Sequence, residues 1–172
     1  MVYNNMTSTI YDTGIIQRDL ELSITEIDGI PVTKFFDNLK KYVETKLNLQ
    51  ISGKCMENGY IKPNSVIVTN ISAGEVKNYH IRYSVTCTCQ ISSPLEGMLI
   101  QCVAQTITQG GIKAAISEYP DDSPMVVFIA RELSASSIRT ISESDVFTAK
   151  IVGVHFELND PYISVIAKVV TE

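Results

Sequence analysis

Apolar and polar residues alternate around Leu20, Leu22 and Ile24, with Asp19, Glu21 and Ser23 between them, and this period of two predicts a half-buried strand within residues 15–30. The period then changes. Between Pro31 and Leu49 the apolar residues Phe35, Phe36, Leu39, Tyr42, Val43 and Leu47 recur at helical spacing, while Lys34, Lys40, Lys41 and Lys46 take other positions. This predicts the one long helix of the chain, with Pro31 in its first turn, where a missing N–H has no helical partner to lose. Two strand-like runs follow, "NLQISGKCM" and "YIKPNSVIVTNI", joined at Glu57-Asn58-Gly59. An Asn-Gly pair suits the positive-φ positions of a type I′ turn, so a hairpin is expected there. The run "HIRYSVTCTCQI" then alternates for six steps, with Ile81, Tyr83, Val85, Cys87, Cys89 and Ile91 on one face.

Ser92-Ser93-Pro94 breaks the pattern and marks the expected division between two domains, 15–94 and 95–172, after an N-terminal extension of residues 1–14. Beyond it come five short strand-like runs, "GMLIQCVAQTIT", "IKAAIS", "MVVFIA", "VFTAKIVGVHFEL" and "YISVIAKVV", with turn signals between them and a longer Ser-rich connection after the third. Five such strands suit a small closed β-barrel of the OB type. The fold class expected is therefore α+β.

Composition narrows the chemistry. The 172 residues are 45% hydrophobic and 19% charged, a globular balance. No apolar run approaches the ~18 residues of a membrane span, and the first residues lack the basic start and apolar centre of a secretory signal, so a reducing intracellular setting is expected. Residues 1–94 carry nine basic and nine acidic side chains, whereas residues 95–172 carry five basic and ten acidic, which places the whole net charge of −5 in the second half. A barrel that grips nucleic acid unaided normally shows the opposite sign, because phosphate neutralisation supplies most of the affinity.

Cys55, between Gly53 and Gly59, is the residue that most suggests chemistry. It could be a zinc ligand, an activated thiol or a structural residue. Cys87 and Cys89 are accounted for by strand alternation and Cys102 by its apolar run, so Cys55 lacks partners at zinc-ligand spacing. His80 and His155 are isolated within strands. Asp121-Asp122 and Glu143/Asp145 read as solvated charge, and no phosphate loop, triad or metal constellation is legible. No catalytic residue, metal or cofactor is expected.

The order of elements and four quoted stretches carry a resemblance. "YVETKL" (Tyr42 to Leu47) ends the helix, "GKCMENGYI" (Gly53 to Ile61) forms the hairpin, "YHIRYSVTCTCQISSPLEGMLI" (Tyr79 to Ile100) is the long strand and crossing, and "DVFTAKIVGVHFELNDPYISVIAKV" (Asp145 to Val169) is the last barrel hairpin. Together, over about residues 15–170, these resemble the seventh-subunit family of eukaryotic RNA polymerase II, whose archaeal equivalent is the larger member of the two-protein stalk, with the divergence of a polymerase encoded by a large DNA virus. The resemblance implies a ribonucleoprotein-like tip domain followed by an OB barrel. It also implies a non-catalytic stalk role near the clamp and the RNA exit channel of a DNA-directed RNA polymerase. The implied partners are the largest polymerase subunit with a neighbouring small core subunit, a fourth-subunit-like stalk partner and, weakly, nascent RNA; no membrane is implied.

On that basis Gly53, Lys54, Cys55, Asn58, Gly59 and Tyr60 are the residues expected to dock on the polymerase core, and Lys34, Lys40, Lys41 and Lys113 those expected to touch a partner or RNA. The chain departs from the family where the crossing reads Ile91-Ser92-Ser93-Pro94-Leu95 without aromatic and basic groups, and where Ile112 follows Gly111 in place of a stacking aromatic. Two other readings remain: a free-standing OB-fold protein that binds single-stranded RNA, and an enzyme using Cys55 as nucleophile.

Overall fold

The computed structural model describes residues 10–133 and 140–170. The first elements in chain order are β1 (Asp12–Ser23), α1 (Ile24–Asp28), α2 (Phe35–Ile51), β2 (Cys55–Met56), β3 (Gly59–Ile61), β4 (Ile67–Ile71), β5 (Glu75–Lys77) and β6 (His80–Ser92). There follow β7 (Leu99–Ile107), β8 (Gly111–Ile116), β9 (Met125–Ala130), a 3-10 turn (Arg131–Leu133), β10 (Val146–His155) and β11 (Ile163–Val169). The architecture is α+β, an antiparallel sheet with few helices and a closed five-stranded barrel. No helix among the described residues is long and apolar enough to cross a membrane.

Two compact units are interleaved along the chain. One takes residues 13–52 and 61–91, the other residues 53–60 with the described parts of 1–12 and 92–172. The hairpin 53–60 therefore groups with the barrel, whereas a consecutive division at Ser92-Ser93-Pro94 would leave it with the helix.

In the first unit β6 is flanked by β1 on one side and by β5 and β4 in succession on the other. Its alternate residues Tyr83, Val85, Cys87, Cys89 and Ile91 are buried, as the period of two requires. The cover is α2, whose stripe Leu39, Val43, Leu47 and Ile51 is buried at a spacing of four. Each such side chain withdrawn from water stabilises the fold by roughly 1.5–3 kcal/mol.

Polar groups of α2 fix its position. Glu44 accepts the Val68 amide at 2.9 Å, and the Asn48 side chain both donates to the Val66 carbonyl at 2.9 Å and accepts its amide at 3.2 Å. The helix begins later than Pro31 suggests. Pro31 lies in a loop that the Asn38 amide ties down through the carbonyls of Pro31 and Thr33, and Lys34, left-handed at φ 54°, precedes the first turn.

The alternation read through Ile24 also ends early. Ser23 closes a capping box with Glu26, its hydroxyl accepting the Glu26 amide while the Glu26 carboxylate accepts the Ser23 amide at 2.8 Å, and this starts α1. The same carboxylate accepts from the Tyr42 hydroxyl at 2.8 Å and the Lys46 ammonium at 2.5 Å, so one side chain joins β1, α1 and α2.

In the barrel β7, β8 and β9 are successive antiparallel neighbours, β11 runs parallel to β9, and β10 pairs antiparallel with both β11 and β7, which closes the ring. This is the five-stranded OB-type arrangement. The interior mixes large residues (Ile112, Ile116, Met125, Ile129, Ile151, Ile163) with small ones (Ala104, Ala114, Ala149, Ala167), all buried, so the lumen is filled by side chains. At Gly111, φ is +154°, and an added Cβ would collide with the Ile129 carbonyl across the ladder.

Two outcomes follow. Gly111→Ala combines backbone strain with that collision and should lower stability by on the order of 1–3 kcal/mol in urea unfolding; an unchanged midpoint would show that β8 and β9 do not need this approach. Glu26 is held at about 2, below its ordinary 4.5, chiefly by Lys46 and then by the Ser23 amide and Tyr42. A depressed carboxylate contributes stability that is present above the ordinary value and lost as pH falls toward the folded one. Stability should therefore drop between pH 4.5 and about 2, and Glu26→Gln should flatten that part of the profile in pH-dependent thermal unfolding.

Candidate functional site

The hairpin expected to dock is largely internal to the barrel unit. Met56 pairs with Gly59 and Cys55 with Tyr60, leaving Glu57-Asn58 as the two turn residues. Asn58 is not at positive φ, so the type I′ turn expected at Asn58-Gly59 does not form; Gly59 alone is left-handed, at +127°. Its missing Cβ makes room for the carbonyl of Ser92, and the Ser93 hydroxyl donates to the Asn58 carbonyl.

Cys55 and Tyr60 are buried and belong to the same apolar cluster as the barrel strands. The Cys55 amide donates to the Asp160 carbonyl and the Asn159 amide donates to the Cys55 carbonyl, both at 2.8 Å, so β2 is stitched to the β10–β11 turn. Of the six residues, Gly53 and Lys54 are half-buried and only Asn58 is exposed. Burial, and then the charge of Asp160, pushes the Cys55 thiol up to about 11, which disfavours the thiolate. Among the described residues no group of three or more His, Cys, Asp or Glu is arranged to hold a metal ion.

The lysines separate into two places. Lys34, Lys40 and Lys41 lie exposed around the first half of α2, while Lys46 is held by Glu26. Lys113 is on the barrel exterior, directly across from Phe128 of β9, which is 42% exposed. The Phe128 ring lies against Gly111, and Phe128 is the parallel partner of Ile166 on β11. Arg131 follows close by, its amide donating to the Gly110 carbonyl. Phe128 is hidden in the apolar run "MVVFIA"; strict alternation there, with Met125, Val127 and Ile129 inward, is the signal that turns it outward.

The uncovered face of the sheet is polar apart from the exposed Ile15 and Ile67, and its polar groups pair with one another across strands. Gln17 donates to Ser84, Gln90 to Thr13, and Arg82 to Asp19, whose carboxyl Arg82 holds below its usual range. None of its described residues on β1 or β6 is Phe, Tyr or Trp, so it lacks the stacking aromatics with which ribonucleoprotein sheets hold bases.

At the end of this unit where β1 finishes, four apolar side chains stand exposed among charged ones such as Lys34, Glu75 and Lys77. Val32 is 88% exposed, Phe36 and Tyr79 81%, and Val76 72%. Tyr79 sits in the β5–β6 turn, its carbonyl accepting the Ile24 amide at the start of α1. Sequence periodicity assigns Phe36 to the core. The structure leaves it at the mouth of a cleft of about 450 Å³, opposite the loop after β4, with Tyr83 on the lining.

The buried hairpin makes one chemical outcome specific. In the folded chain Cys55 should resist iodoacetamide at neutral pH and become fully labelled only in denaturant; rapid, selective labelling of Cys55 in the native protein would restore the nucleophile reading.

In comparisons with known proteins, no family model matches the chain, and no curated protein matches it.

Proposed function

We propose that the chain is a non-catalytic stalk subunit of a multi-subunit DNA-directed RNA polymerase, acting inside the cell wherever that polymerase works. The observation that carries this reading is the bare apolar end of the helix-and-sheet unit, Val32, Phe36, Val76 and Tyr79. Large apolar side chains gathered at one end mark an interaction surface. The ordered layout of helix, hairpin, long strand and barrel supports the polymerase assignment by resemblance. The docking surface is this end and not the hairpin 53–60, whose Cys55 and Tyr60 are taken up by the barrel core. Its partners are the largest subunit and a small core subunit, with a fourth-subunit-like protein completing the stalk.

The Lys113–Phe128 pair favours a second reading, contact with single-stranded RNA on the barrel exterior. An aromatic beside cations is how such barrels hold an unpaired base and its phosphate.

Affinity purification of the tagged full chain from its own cells or host should bring down the two largest polymerase subunits, identified by mass spectrometry. Recovery without them overturns the stalk reading. RNA affinity measured against salt decides the second: Phe128→Ala should weaken binding by about 1–3 kcal/mol if a base stacks there, and an unaltered affinity removes RNA from that patch.

A further inference from the structure

The hairpin leaves a polar group unused. Tyr60 is only 6% exposed and its ring belongs to the barrel core, yet its hydroxyl has no hydrogen-bond partner among the described residues. The hydroxyl is not sealed off either, because among the described residues the fully buried, unpaired side-chain polar atom is that of Ser92. It opens on a cleft of about 300 Å³ in the barrel unit, lined also by Lys113, Asp121, Asp122 and Tyr162. That volume lies at the small end of the range for ligand sites.

The acidic wall is the loop between β8 and β9, and it is tied at both ends. The Gln105 side chain donates to the Pro120 carbonyl at 3.1 Å, and the Ser123 hydroxyl accepts the Ile116 and Met125 amides at 3.2 and 3.3 Å. Asp121 and Asp122 stand between these ties, exposed, with no hydrogen bond or ion pair among the described residues. Burial, and then the charge of Asp122, raises the Tyr60 phenol above its ordinary value, which keeps it neutral and puts that carboxylate within its electrostatic reach. Lys113 lines the strand side and makes no ion pair with either carboxylate, so the cleft holds two negative charges and one positive charge apart. Tyr162, 44% exposed, adds an accessible ring. No group of three His, Cys, Asp or Glu among the described residues suits a metal ion there.

We infer that this cleft binds a ligand carrying both a guanidinium and a carboxylate, the chemistry shared by free arginine and by a peptide chain that ends in arginine. Asp121, Asp122 and the Tyr60 oxygen are acceptors for the N–H groups of a guanidinium, and its flat face suits the Tyr162 ring. A lysine ammonium is a compact, strongly hydrated point charge and gains less from a ring and two carboxylates. The ligand's own carboxylate meets Lys113, which otherwise repels the cation. Both signs of charge in the cleft are then matched, and the Tyr60 hydroxyl gains the bond that the chain does not provide. Because the loop is already held, little ordering is needed on binding.

The test is isothermal titration calorimetry of the full chain with L-arginine. Citrulline, whose side chain is uncharged, and agmatine, which lacks the carboxylate, should each bind roughly tenfold more weakly, and lysine should also bind more weakly than arginine. Asp122→Asn should cost roughly tenfold in arginine affinity. Tyr60→Phe should cost about fivefold while leaving the urea midpoint unchanged, since the hydroxyl it removes has no partner inside the chain. Lys113→Gln should bring arginine down to the level of agmatine without weakening agmatine itself. Glu96→Gln, a barrel-unit carboxylate outside the lining, should change nothing.

The source of the ligand follows from Gly-Gly-Arg with a free carboxylate titrated beside free arginine: whichever binds more tightly names it, and amidation of the peptide should weaken it as loss of the carboxylate weakens arginine. No heat of binding, equal affinity for citrulline, lysine or agmatine, or indifference to Asp122→Asn or Tyr60→Phe overturns the inference.

Discussion

A sheet with one apolar face must be covered, and here a single amphipathic helix is the cover. The buried stripe from Leu39 to Ile51 and the buried alternate residues of β6 account for each other, and most other features of that unit are adjustments to this packing. Glu44 and Asn48 reach the backbone at the start of β4, satisfying groups that the sheet leaves open beside the helix. Glu26 draws α1, α2 and the end of β1 together through one carboxylate. The helix and its sheet do not end together, and the first turn of α2 projects past the point where β4 becomes loop. That mismatch leaves Phe36 uncovered and provides the surface on which the functional proposal stands.

The barrel solves the same burial problem without a cover, by closing on itself. Closure leaves a lumen too narrow for large residues everywhere, and alanines at 104, 114, 149 and 167 let the isoleucines interdigitate. The hairpin 53–60 is recruited into this core through Cys55 and Tyr60, with backbone bonds to the β10–β11 turn. Cys55 and Tyr60 therefore serve packing. The thiol that drew attention as chemistry is desolvated, which stabilises its neutral form.

What remains outside these two cores is what can act on other molecules. The open face of the sheet is occupied by its own hydrogen bonds, so it offers little to a ligand without breaking them. The apolar end and the Lys113–Phe128 pair are not so occupied, and they differ in character: one carries several exposed apolar side chains among charges of both signs, the other a single ring beside Lys113. The first suits a protein, the second a base, which is why both enter the functional reading with unequal weight.

Sequence pattern by itself determined the periodic elements. The helix after Pro31, the thirteen-residue β6 with its two cysteines inward, and five barrel strands were all legible, because periods of 3.6 and 2 report which side of an element meets a core. Even α1 had its mark in Ser23-x-x-Glu26, masked by the alternation that runs into it. Only the tertiary structure decided where elements stop relative to one another. Periodicity assigns Phe36 to the buried stripe and cannot show that the sheet ends beneath it; Gly59 announces a close approach but not that the approaching atom is the chain's own Ser92 carbonyl. Local pattern records the direction a side chain faces, whereas exposure depends on what distant segments place there, and that information lies in no single stretch of sequence.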